Sequence, residues 1–122
     1  MTLKTYKEPR WLKLRAKVLR RDNYMDQYLF RYGKFRQAEL VHHIFPVEAF
    51  PEYQFEEWNL ISITKRTHDA LHDTDGSLSK KGVELLVRTA RRNKIPIPYQ
   101  YINQEKKRVR NSYIAERGIN DI

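Results

Sequence analysis

All four histidines of this 122-residue chain fall between Ala38 and His72. His42 and His43 are adjacent, while His68 and His72 stand four apart. On a helix, residues at that spacing share a face with Cβ atoms roughly 5–6 Å apart. His68 and His72 can therefore aim two imidazoles at one cation, or stand as two half-exposed helix histidines. Adjacent strand residues point to opposite faces. His42 and His43 serve one site only where a strand ends or bends; elsewhere one is buried and the other exposed. Pro46 and the loop that follows supply such an end. Together the two pairs favour a fold in which a strand end meets one face of a short helix.

The rest of the chain is consistent with that layout. Pro9 suits the first turn of a helix running to about Arg21, with Trp11, Leu14, Val18 and Leu19 on one face. The stretch "DNYMDQYLFRYGKFRQ" has turn residues and aromatics without a clear period, and reads as irregular with a short hairpin around Gly33. Ala38–Ile44 and Asn59–Ile63 read as strands, separated by "FPVEAFPEYQFEEW", a loop longer than most hairpin connections. Thr64 caps a short helix from Lys65 to about His72, and Ser79 caps another to Arg92 with Val83, Leu86, Val87 and Ala90 on its apolar face. Pro96 and Pro98 end regular structure.

The segments "VHHIFP", "NLI" at Asn59–Ile61 and "THDALH" make the chain similar to the HNH nucleases. "RWLKLRAKVLRRDNY" and "LSKKGVELL" resemble the flanking segments of small phage-type members, so the resemblance spans about Pro9 to Arg92. It implies an α+β fold with a ββα-metal core, about residues 38–73, and flanking helices. Residues 1–98 are then the nuclease domain and 99–122 a basic tail. Carried over by position, His42 resembles the first metal ligand, His43 the general base and Asn59 the asparagine that braces the long loop. His68 and His72 resemble the remaining metal ligands. Asp69 and Asp73 flank them as solvated or supporting carboxylates.

These residue types suit phosphodiester hydrolysis. Neutral imidazole takes up a proton near neutral pH. A divalent cation with open positions stabilises phosphate charge and a leaving oxygen. Three imidazoles rank zinc, nickel and cobalt above magnesium in affinity, while cellular abundance favours magnesium, so the identity of the one expected metal stays open among magnesium, manganese, nickel, cobalt and zinc.

Many relatives carry two CxxC knuckles around a structural zinc. This chain has no cysteine, and the corresponding places hold Asp26 and Leu29, and Thr64 and Thr67. No structural zinc is expected there, and apolar packing by Met25, Tyr28, Leu29, Phe30 and Ile63 is the expected substitute.

A net charge of +9 favours polyanion partners, with DNA or RNA ahead of anionic membrane, and the resemblance implies DNA. Lys13, Lys17, Arg20 and Arg21 on the first helix, Lys65 and Arg66 on the short helix, and Arg36 before the first strand are the candidate nucleic-acid contacts. The resemblance implies a DNA endonuclease, with nicking easier to support than restriction-like specificity; the alternative is a nuclease-derived binding module that no longer cuts. Small members are often phage-encoded and some act beside the genome-packaging terminase, so terminase and the host cytoplasm are expectations of the same kind. No apolar run is long enough to span a bilayer, no apolar signal core is present at the N-terminus, and a monomer or homodimer is expected.

Overall fold

The computed structural model describes residues 6–102. Helix α1 (Pro9–Arg21) starts on its proline and ends on Arg20 and Arg21, which suit the negative end of the helix dipole. It buries Trp11 and Val18. In place of a hairpin, the next stretch forms a four-residue helix, α2 (Gln27–Phe30), and an isolated bridge between Met25 and Gln37. Gly33 turns the chain at φ 76°.

Strands β1 (Leu40–His43) and β2 (Leu60–Ile63) pair antiparallel, with Leu40 opposite Ile63 and His43 opposite Leu60. The loop between them is folded on itself by two 3₁₀ turns, Pro51–Tyr53 and Glu57–Asn59. Phe45 packs edge-on against Phe50, Tyr53 and Trp58 at 5.2–5.6 Å, which gives the loop an aromatic core. Helix α3 (Lys65–Ala70) follows β2 directly, capped by Thr64. Helix α4 (Lys80–Asn93) is capped by Ser79. Gly82 lets α4 lie close to the end of α3, since a Cβ there would collide with the Leu71 carbonyl.

The architecture is α+β, with β1, β2 and α3 as the ββα unit between α1 and α4. Trp11, Val18 and Leu60 form a small cluster under α1. Ile63, Leu71, Val83, Leu86 and Phe45 centre the larger one. Tyr101, assigned by sequence to the tail, is buried against that larger cluster, with its amide bonded to the Pro98 carbonyl. The "EKKRVR" segment lies outside the described residues. Among the described residues no helix is long and apolar enough to cross a membrane.

The expected apolar filling of the knuckle position is met only in part: Ile63 is fully buried in the larger cluster and half-buried Tyr28 packs against it, but Phe30 is exposed and Met25 and Leu29 are only half-buried. A polar cluster takes their place. The Asp26 carboxylate is fully buried. Its Oδ2 accepts from the Thr64 amide at 2.8 Å and from the Thr64 and Thr67 hydroxyls at 3.0 and 2.6 Å. Its Oδ1 accepts from the Leu29 amide at 2.8 Å. One carboxylate thus joins the N-terminal ends of α2 and α3, where helix dipoles favour negative charge. Buried polar groups hold a fold together when fully hydrogen-bonded. A second latch lies nearby: Asp22 accepts from the Ser62 amide at 3.0 Å and from Arg21 Nε at 2.8 Å.

Candidate metal centre

The end of β1 presents His42 and His43 to opposite faces of the two-stranded sheet, as strand geometry demands. His42 turns toward α3. Its ring lies edge-on to His68 at 5.6 Å and to His72 at 5.2 Å between centroids. One ring nitrogen from each of the three residues lies within 4.8 Å of the others. His72 sits just past the end of α3, in a bridge with Leu78, yet its ring stays 4.3 Å from that of His68. Its Nδ1 bonds the His68 carbonyl at 2.8 Å. A carbonyl can only accept, so Nδ1 carries the proton and Nε2 keeps its lone pair, the arrangement that orients metal-binding histidines.

His42 Nε2 is buried without a hydrogen-bond partner. Such orphans are rare, because an unpaired buried polar atom is costly. Burial, with His72 and His68 close by, lowers the His42 pKa to about 3. Burial and then His72 lower that of His68, while Asp69 at 3.7 Å opposes the change. At neutral pH both therefore offer lone pairs rather than protons. Three imidazoles that bring ring nitrogens together, one of them on a residue with a buried, unpartnered nitrogen, fit a divalent cation. Asp73 lies in the exposed turn after His72, its amide bonded to the Ser77 carbonyl.

His43 turns the other way and stacks on Trp11, with ring centroids 5.0 Å apart and planes 19° from parallel. Its Nε2 donates to the Gln54 carbonyl at 3.0 Å, which leaves Nδ1 as the basic nitrogen. Burial lowers the His43 pKa, partly offset by the Gln54 bond. Asn59, fully buried, holds the loop that supplies this carbonyl. Its Oδ1 accepts from the Phe45 amide at 2.7 Å. Its Nδ2 donates to the carbonyls of Phe45 at 3.3 Å and Tyr53 at 3.1 Å. Asn59 thus ties down chain neighbours of both His43 and Gln54.

Both His43 and the three clustered histidines line one groove of about 460 Å³, together with Tyr6 and Glu48. Burial and then Glu48 raise the Tyr6 pKa. Tyr6, Trp11, Glu48 and the Gln54 carbonyl were not among the sequence candidates. Trp11 was legible only as an apolar helix residue, and a backbone carbonyl carries no side-chain signal at all.

The candidate DNA contacts are dispersed. Among the described residues no Lys or Arg lines the groove. Lys13, Arg20, Lys65 and Arg66 are exposed. Lys17 pairs with Glu57 at 3.3 Å, and Arg36 bonds the carbonyl of Phe35. Arg21 is exposed but engaged by the fold: its guanidinium binds Asp22 and donates to the Glu57 and Leu60 carbonyls at 2.8 and 2.6 Å.

No protein-family model and no curated protein matches the chain. Among solved structures, it is similar to the HNH endonuclease of the deep-sea thermophilic bacteriophage GVE2 with manganese ion, at 28% sequence identity and a TM-score of 0.54. The match covers 55% of this chain and 73% of that one.

Proposed function

From its relationship to the HNH endonucleases, we propose that the chain is a metal-dependent DNA endonuclease that hydrolyses phosphodiester bonds, one strand at a time. One observation carries this most directly: a neutral, rigidly held base, His43, shares a groove with three converging imidazoles, one of which has a buried, unpartnered nitrogen.

His43 Nδ1 takes the proton from the attacking water as its oxygen bonds to phosphorus and the bond to the 3′ oxygen breaks. Trp11 fixes the plane of the ring, and the Gln54 carbonyl fixes its tautomer. Asn59 keeps that carbonyl in place through the loop, so the base does not have to be ordered at the moment of reaction. His42, His68 and His72 would hold one divalent cation, which supplies Lewis-acid stabilisation of phosphate and leaving-group charge when bound. Lys13, Arg20, Arg36, Lys65 and Arg66 remain the proposed phosphate contacts, and Lys17 joins them on exchanging Glu57 for phosphate. Arg21 leaves that set because its donors are committed internally. One catalytic groove per chain supports nicking. The phage-type resemblance, and the bacteriophage source of the similar structure, support a phage-encoded role in the host cytoplasm with terminase as a partner.

The test is relaxation of supercoiled plasmid by metal-stripped protein, with magnesium, manganese, nickel, cobalt or zinc restored singly, beside His43→Ala. Metal-dependent nicking that falls by about 10²–10⁴ in the variant is expected for loss of a general base. Equal cutting by both proteins would remove His43 from the role. DNA binding without cutting under any metal would favour the binding-module alternative.

A further inference from the structure

A second cleft, of about 390 Å³, lies between α2 and α4 and shares no lining residue with the histidine groove. Arg31, Arg88 and Arg92 line it beside Tyr28, Phe30 and Trp58. Among the described residues, none of these three guanidinium groups makes an ion pair or a side-chain hydrogen bond. The acid in the cleft wall, Asp22, is occupied by Arg21 and the Ser62 amide. Arg88 is half-buried, and its pKa is lowered by burial and then by Arg31. Glu84 lies close enough to Tyr28 to act on it, yet among the described residues none of the three cations is ion-paired. Cations gathered into one concave surface repel one another, so the arrangement is matched to an anion from outside.

The turn bordering the cleft adds a second kind of surface. In "YLFRYGKFR", Tyr28 to Arg36, aromatic and basic residues are interleaved. Phe30, Tyr32 and Phe35 are 51%, 58% and 61% exposed. Phe30 is held edge-on to Phe35 at 5.5 Å, and Tyr28 lies 5.6 Å from Tyr32. Large aromatics ordered against one another yet open to solvent, beside unpaired arginines, suit ligands that carry both flat π faces and phosphates. Unpaired nucleic acid has both, whereas a duplex hides its base faces in the stack.

We propose that this cleft and the Phe30–Phe35 turn form a second nucleic-acid site, which binds a single strand by base stacking on the exposed aromatics and phosphate contacts to Arg31, Arg88 and Arg92. The site does not depend on whether the chain cuts. It is distinct from the histidine groove, and its readout is binding.

The test is fluorescence anisotropy of a labelled oligothymidylate of about 16 nucleotides, in EDTA to prevent cleavage, against a duplex of equal length. Two double variants at exposed positions serve as probes: Arg31→Glu with Arg92→Glu, and Phe30→Ala with Tyr32→Ala. Circular dichroism confirms that each is folded. Single-strand affinity should fall by about tenfold or more in both, given the usual worth of a stacked base. Duplex affinity should be unchanged in the aromatic pair, and His43→Ala should bind the single strand like the parent. Parent-like single-strand binding by either double variant would overturn the assignment. So would a parent homodimer that the arginine variant dissolves in analytical ultracentrifugation, because the occupant would then be a second copy. Plasmid nicking, measured separately, reports on the histidine groove alone, so the two ideas can fail independently.

Discussion

At the scale of single residues, His42 and His43 show how adjacent positions acquire opposite surroundings. One strand step points them to opposite faces, so His42 meets His68 and His72 while His43 meets Trp11 and the loop. Burial of His42 makes the fold sensitive to acid. Its pKa is about 3 when folded, against an ordinary 6.5, so the unfolded chain binds the extra proton. Stability is then fully present above pH 6.5 and declines as pH falls toward 3. By linkage, metal-stripped protein should be about 2 kcal/mol less stable at pH 5 than at pH 7 from His42 alone. His43 and His68, also lowered, add in the same direction. Urea denaturation at the two pH values measures this, and His42→Gln should reduce the difference; an unchanged difference would clear His42 of the effect.

At the scale of elements, the ββα unit depends on how α3 is attached, because α3 and the residue just past its cap carry two of the three clustered histidines. Asp26 is the attachment. Its carboxylate receives four donors from two helix starts, and charge-assisted bonds of this kind contribute about 1.5–3 kcal/mol each before coupling. Asp26→Asn turns an acceptor-only group into one that also brings donors to a donor-filled pocket. It should cost roughly 2–4 kcal/mol of stability, read by chemical denaturation. Thr64 was legible as a helix cap in the sequence, and the cap is found. Its second role, donating to Asp26 across 38 positions of chain, was not. Local spacing predicts caps and faces, whereas pairing between distant side chains depends on how elements dock. The same reason explains why apolar filling was expected beside α2 and a hydrogen-bonded carboxylate was found.

At the scale of the whole molecule, a cluster drawn from β1, α3 and the residue past its cap would make metal binding a folding event, since the unfolded chain holds no such cluster. Saturating zinc or nickel should raise the melting temperature by an amount set by the excess over the dissociation constant. About 2.7 kcal/mol at a hundredfold excess corresponds to a shift on the order of 10 °C. Differential scanning fluorimetry checks this; no shift in the parent, or an equal one in His42→Ala, would count against the cluster as the site. The helices, the two strands and the capped starts of α3 and α4 were written in local periodicity and cap chemistry, and the ordered run of histidines and asparagine carried the resemblance from which the α+β core was read. Only the tertiary structure decided which nitrogen of His42 is left unpaired, that Trp11 covers His43, that the Gln54 carbonyl sets its tautomer, and that Arg21 serves the fold rather than the surface. Periodicity and capping act between residues a few positions apart, whereas tautomer, burial and charge pairing are set by groups brought together from far along the chain.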